Sequence, residues 1–151
     1  MKLAEALAER SDCQVRIEEL KKRIVRSARV QEGEKAAEDS ESLMQEMETL
    51  FTRLLELVTS INRTNSRTSF GDKRTISDAI ADRDITGKKR DFLAAVADAA
   101  STRQDRYSKS EVKFVATVSV SDIQRQIDHL SKQYRELDTA IQELNWKTEL
   151  V

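Results

Sequence analysis

The sequence predicts a mainly α fold of the α+β class: long, antiparallel, heptad-patterned helices in a bundle, with a small antiparallel β-sheet. Three observations carry this. Helix breakers are nearly absent, with no Pro and 3 Gly in 151 residues, so little interrupts a helix once it starts. Apolar residues recur at alternating spacings of four and three in three long stretches, the period of helices packed along a seam. Two short stretches, 67–76 and 110–120, switch to the period of two expected of strands. The length suits a single domain over residues 1–151.

Taken in order, residues 2–29 form the first helix. Leu3, Ala6, Arg10, Cys13, Ile17, Leu20 and Ile24 make its seam, with Arg10 the one polar member. Glu18 and Lys22 sit four apart in the favourable order. Cys13 lies on the seam, where it reads as a small buried hydrophobe rather than a reactive thiol. Val30-Gln31-Glu32-Gly33-Glu34 ends the helix, and Gly33 suits the left-handed residue that follows a helix C-terminus. Glu32 and Glu34 read as a solvated turn rather than metal ligands.

The second helix, 40–65, is capped by Asp39 or Ser40. Leu43, Met47, Leu50, Leu54, Leu57 and Ile61 form its seam, while Phe51, Leu55 and Val58 widen the stripe. A stripe that wide touches more than one neighbour. A short loop between two seamed helices makes an antiparallel hairpin.

Residues 67–76 read as a β-hairpin turning at Gly71-Asp72-Lys73. Thr75 or Ser77 caps the third helix, 77–102, with Asp78 completing a capping box. Gly87 marks a kink or a break in it. Phe92, Leu93 and Val96 continue the apolar face, and Ala94, Ala95, Ala97 and Ala99 admit a close neighbour. Residues 110–120 alternate as a strand, and pairing with the hairpin would satisfy its backbone. Ser121 caps the last helix, 121–146, whose seam is Ile123, Ile127, Leu130, Tyr134, Leu137, Ile141 and Leu144. A helix of that length spans about 37 Å. Seams this long predict that helices from more than one chain share them, as a homo-oligomer, dimer or hexamer.

Composition narrows the function. Lys+Arg number 26 against Asp+Glu 27, a net charge of -1, without the cationic surplus that nucleic acid requires. One Cys forms no intrachain disulfide and suits the cytoplasm. No stretch approaches the roughly 20 apolar residues of a membrane span.

Several motifs, in order along nearly the whole chain, resemble a small bacterial and phage helical family known as septicolysin. They are Met1-Lys2-Leu3-Ala4-Glu5-Ala6-Leu7, Val30-Gln31-Glu32-Gly33-Glu34, Ile61-Asn62-Arg63-Thr64-Asn65, Ala81-Asp82-Arg83-Asp84, Asp105-Arg106-Tyr107 and Asn145-Trp146. The resemblance implies a mostly helical cytoplasmic protein that assembles with itself, and it supplies no activity. Where that family has a proline after Val30–Glu34, this chain has Lys35-Ala36-Ala37. The haemolytic sense of the name finds no support in the residues, because a pore-former needs a segment that enters lipid, and the charged faces here carry both signs.

The most informative polar set is Asn62, Arg63, Asn65, Arg83, Asp84, Arg106, Tyr107 and Glu111, placed where helix ends meet the expected sheet. Arginines with a tyrosine suit a phosphate or carboxylate ligand, since Arg grips such anions bidentately. Alternatively, Asp84 and Glu111 pair with Arg63 and Arg106 in a structural network, the favoured reading. His129, off the main seam, reads as an exposed or interface side chain. Trp146 reads as an anchor on a neighbour. Gly-x-Ser-x-Gly and phosphate-binding glycine loops are absent, and no cofactor or metal is expected. The reading is a self-assembling structural or interaction protein that recruits a protein partner, leaning away from an enzyme. The alternative is a binding protein or enzyme for an anionic, phosphate-bearing ligand at the Arg/Asn/Tyr cluster.

Overall fold

The structure, a computed structural model, describes residues 1–102 and 112–151. These hold four helices, α1 (Leu3–Ser27), α2 (Ser40–Arg67), α3 (Ile76–Ser101) and α4 (Val120–Lys147). They divide into two compact units: Met1–Ser69 with Glu143–Val151, and Phe70–Gln142.

In the first unit the predicted seams face each other. Ile17, Leu20, Leu43 and Leu50 form a buried cluster, with Ile24, Met47 and Leu54 packed against it. Leu57 and Ile61 are each 1% exposed, and burial of such a side chain is worth roughly 1.5–3 kcal/mol. Ion pairs on the flanks run Arg23–Glu38, Arg16–Glu46 and Arg53–Glu9. One partner's number rises as the other's falls, so the hairpin is antiparallel. Asp39 caps α2 by accepting from Glu41 N–H at 3.2 Å, as its short acceptor side chain favours. Ser40 instead donates its hydroxyl to the Ser27 carbonyl at 3.0 Å, tying the end of α1 to the start of α2.

Helix α1 stops before Gly33, with Ala28 as its right-handed C-cap. Gly33, at φ +87°, serves a separate turn, closed by Glu34 N–H donating to the Gln31 carbonyl at 3.0 Å. The chain ends clasp the hairpin. Leu3 N–H donates to Thr148 and Leu150 N–H to Met1, both at 2.9 Å. Thr64, fully buried, donates its hydroxyl to the Ser60 carbonyl at 2.8 Å and accepts from Val151 N–H at 2.9 Å.

In the second unit Thr75 caps α3 with the expected box. Asp78 N–H donates to the Thr75 hydroxyl at 3.3 Å, and Thr75 N–H donates to the Asp78 carboxylate at 2.8 Å. Gly87 neither kinks nor breaks the helix, which is continuous through it. It is instead a point of close approach: a Cβ there would lie 3.1 Å from the Tyr134 ring of α4. Helix α4 starts one residue earlier than expected. Ser119, not Ser121, caps it, its hydroxyl accepting from Asp122 N–H at 3.4 Å and its carbonyl from Ile123 N–H at 3.0 Å.

Among the described residues the expected β-sheet does not form, and there is no strand. Helix α2 runs on to Arg67, and the proposed hairpin shrinks to a turn in which Phe70 N–H donates to the Arg74 carbonyl at 2.8 Å. Gly71 and Lys73 both take positive φ there, +66° and +59°, which suits a turn and not a ladder. Of the 110–120 run, residues 110 and 111 lie outside the described residues. Val112 to Val118 is irregular, and its alternating pattern reads as a strand only when a partner supplies the ladder. Phe114 and Val115 are 82% and 81% exposed, so neither face of the run is covered.

Candidate functional site

Of the polar set singled out from the sequence, the described residues bring together Arg83 and Asp84. Arg83 donates from Nε and Nη2 to one Asp84 oxygen at 3.0 and 2.9 Å, and from Nη1 to Asp138 at 2.9 Å. Its side chain is 20% exposed. Burial pulls the guanidinium pKa down, but hydrogen bonds to Asp84 and then Asp138 outweigh it, so the net direction is up. Arg83 is thus a fixed cation joining α3 to α4, with its donors occupied by carboxylates. Asp138 was not foreseen. It lies 55 residues away, and no local pattern links the two.

Asn62, Arg63 and Asn65 belong to the first unit, on the last turns of α2. Asn62 and Arg63 are exposed, and among the described residues Arg63 has no ion-pair partner. Asn65 is half-buried, and its Oδ1 is buried without a hydrogen bond among the described residues, as is Oδ1 of Asn145. Arg106, Tyr107 and Glu111 lie outside the described residues. Among the described residues, no arrangement converges several guanidinium groups on one site.

A different feature stands out. Helix α2 has two apolar stripes, and the hairpin covers one of them. On the other, Met44, Phe51 and Leu55 are 62%, 49% and 68% exposed, with Val58 half-buried beside them. The sequence signal for this was the wide stripe itself, although Met44 was not picked out as part of it. Exposed large apolar side chains in a row mark interaction surfaces.

The second unit carries an apolar groove of about 540 Å³ between α3 and α4, with Phe92, Leu93 and Leu130 among its lining. Lys89, Arg125 and His129 stand around it, and Arg125 is also ion-paired to Asp122. Just beyond, Arg90 stacks over the Tyr134 ring at 4.9 Å, a cation–π contact, and pairs with Asp91 at 3.0 Å. His129, exposed as expected, thus has a place in the lining of this groove that its sequence neighbours did not reveal. Among the described residues no group of three or more His, Cys, Asp or Glu could hold a metal ion. No described helix is long and apolar enough to cross a membrane.

Comparison with known proteins places this architecture. The model of DUF6847, a family of unknown function, matches residues 10–150. The chain belongs to that family. A crystal structure of a functionally unknown conserved protein from Corynebacterium diphtheriae matches this DUF6847 chain at 47% identity with a TM-score of 0.95. It covers 100% of this chain and 99% of that one. No curated protein matches. The DUF6847 fold is therefore shared nearly end to end with a solved protein, and neither the family nor that structure brings a molecular activity with it.

Proposed function

We propose that this DUF6847 chain is a cytoplasmic structural or interaction protein that assembles with itself through its long helices. The observation that carries this is the uncovered stripe of α2, with Met44, Phe51 and Leu55 exposed at heptad-related spacings of seven and four. Side chains so spaced form one row, the surface a helix offers to another helix. Leaving them in water forgoes roughly 25 cal/mol for each Å² of apolar area that association would cover. The likeness of the motifs to septicolysin fits this reading, because that resemblance implies a helical protein that assembles with itself.

The test is light scattering coupled to size-exclusion chromatography across micromolar concentrations. The expected result is an oligomer for the natural chain and a monomer for Phe51→Glu/Leu55→Glu, with unchanged helicity. A natural chain that stays monomeric throughout that range overturns the proposal.

The ligand-binding alternative keeps one supporting observation, the exposed Arg63 without an ion-pair partner among the described residues. A thermal-shift series with inorganic phosphate and nucleotides examines it. Stabilisation of the natural chain that Arg63→Ala abolishes favours the anion site.

A further inference from the structure

The proposed self-assembly leaves open which surface the α2 stripe meets. We infer that it docks into the α3–α4 groove of a second copy, so that the contact is head-to-tail rather than stripe against stripe. This rests on the self-assembly reading and specifies its partner surface.

Three features match the two faces. The first is shape. Met44, Phe51 and Leu55, with half-buried Val58, form a single row of knobs along a continuous helix. The groove lies between two helices, and the half-buried Leu93 and Leu130 are part of its lining. A helix laid in such a groove makes a three-helix contact, with the row of the incoming helix filling the gap. Phe92 at the groove is 65% exposed, a ring that a helix face would cover and a small molecule in the groove would leave largely wet.

The second is charge. On the helical projection Glu41 and Glu48 border the α2 row on the side away from α1. Both are exposed and without ion-pair partners among the described residues. The groove is bordered by Lys89 and His129, and Lys89 likewise has no ion-pair partner among the described residues. Arg125 adds a second cation beside Lys89, already shared with Asp122. The groove lining contains no acidic side chain. Acid beside one apolar face and base beside the other favour their mutual docking and set its register. Stripe against stripe would instead place unpaired glutamates on both sides of the contact.

The third is availability. Both faces remain exposed within one chain, and with a net charge of -1 copies repel one another little. Because the two faces belong to different units, the contact is heterologous, and successive copies add until a ring closes or an open chain forms.

Heterologous docking has a signature that a symmetric contact lacks. The stripe variant Phe51→Glu/Leu55→Glu keeps its groove, and the groove variant Lys89→Glu/Phe92→Glu keeps its stripe. Each alone is expected to be monomeric by light scattering. Mixed one to one, they are expected to form a dimer and nothing larger, since one functional stripe meets one functional groove. Circular dichroism and thermal melts check that each variant is folded. Should either fail to fold, the single changes Leu55→Ser and Phe92→Ser replace it. A groove variant that assembles as the natural chain does overturns the inference in favour of stripe against stripe. A mixture of folded variants that stays monomeric overturns it as well. A natural chain that never assembles defeats the self-assembly reading itself, so the two failures are distinct.

Discussion

In the first unit α1 and α2 meet through large aliphatic side chains, Ile17 and Leu20 against Leu43 and Leu50, with ion pairs kept to the flanks. In the second unit α3 and α4 meet at a glycine under a tyrosine ring and at a partly buried Arg83–Asp138 pair. The residues of α3 that are buried are small or at its start: Ile76, Ala79, Thr86, Gly87 and Ala97. The difference concerns how tolerance is distributed. A leucine seam loses stability when volume is removed, because the cavity relaxes only in part. A glycine contact loses it when volume is added, because the ring has to move.

The comparison breaks most easily at Leu57, 1% exposed. Leu57→Ala should lower unfolding free energy by about 2–5 kcal/mol, measured by urea denaturation. Its neighbour two residues earlier, Leu55, is 68% exposed, so Leu55→Ala should change monomer stability by no more than about 0.5 kcal/mol. Equal losses from the two would show that the two stripes of α2 are not distinct.

In the second unit the sign reverses. Gly87→Leu should cost about 1–3 kcal/mol by driving the Tyr134 ring aside. Gly87→Ala, whose Cβ would meet the ring at 3.1 Å, also gains helix propensity of about 1 kcal/mol, so its net change should stay within about 1 kcal/mol. Stabilisation by Gly87→Leu would mean the close approach does not exist in solution.

Arg83→Ala comes next. It leaves Asp138 without its partner at a site only partly open to water, so the loss should fall near 1–2 kcal/mol, between an exposed pair and a buried one. Arg63→Ala serves as its contrast. Arg63 is exposed and lies outside the Arg83 network, so its loss should change the melting free energy by less than about 0.5 kcal/mol. A large loss at Arg63 would restore the network first expected of it.

The smallest effect is that of pH. The Arg53 guanidinium holds Glu9 below the usual carboxylate range, Arg23 does the same to Glu38, and the Thr75 N–H does so to Asp78. A depressed folded-state pKa means that the unfolded chain binds more protons in the interval between the two values. Stability from these groups is therefore full above the usual carboxylate range and is lost as pH falls through the lowered pKa values. Urea melts between neutral pH and pH about 3 should show that decline, and Glu38→Gln with Asp78→Asn should flatten it. A stability that rises on acidification would contradict these assignments.

Much of the first unit was legible from spacing alone. The four-three rows of α1 and α2 named the buried faces in advance, since a side chain's angle around a helix depends only on its position in sequence. Asp39 as a cap and Thr75 with Asp78 as a capping box were equally local, each bond closing within three residues. The strand reading failed on the same ground. Alternation from Val112 to Val118 is a local pattern, but a strand exists only where a partner lies alongside, and the turn at 70–74 offers a single rung. In the candidate polar site, Asp84 was expected to pair with Arg63 or Arg106, and its partner among the described residues is instead its neighbour Arg83.

What only the tertiary structure decided depends on distance through space. Gly87 looked like a weak point in a helix until Tyr134, 47 residues on, lay against it. Asp138, the distant partner of Arg83, was not visible until α4 brought it within 2.9 Å. His129 and Lys89 shared nothing in sequence until α3 and α4 set them around one groove. Periodicity records which way a side chain points from its own helix. What it meets there depends on the packing of another element, and that information is spread over the whole chain.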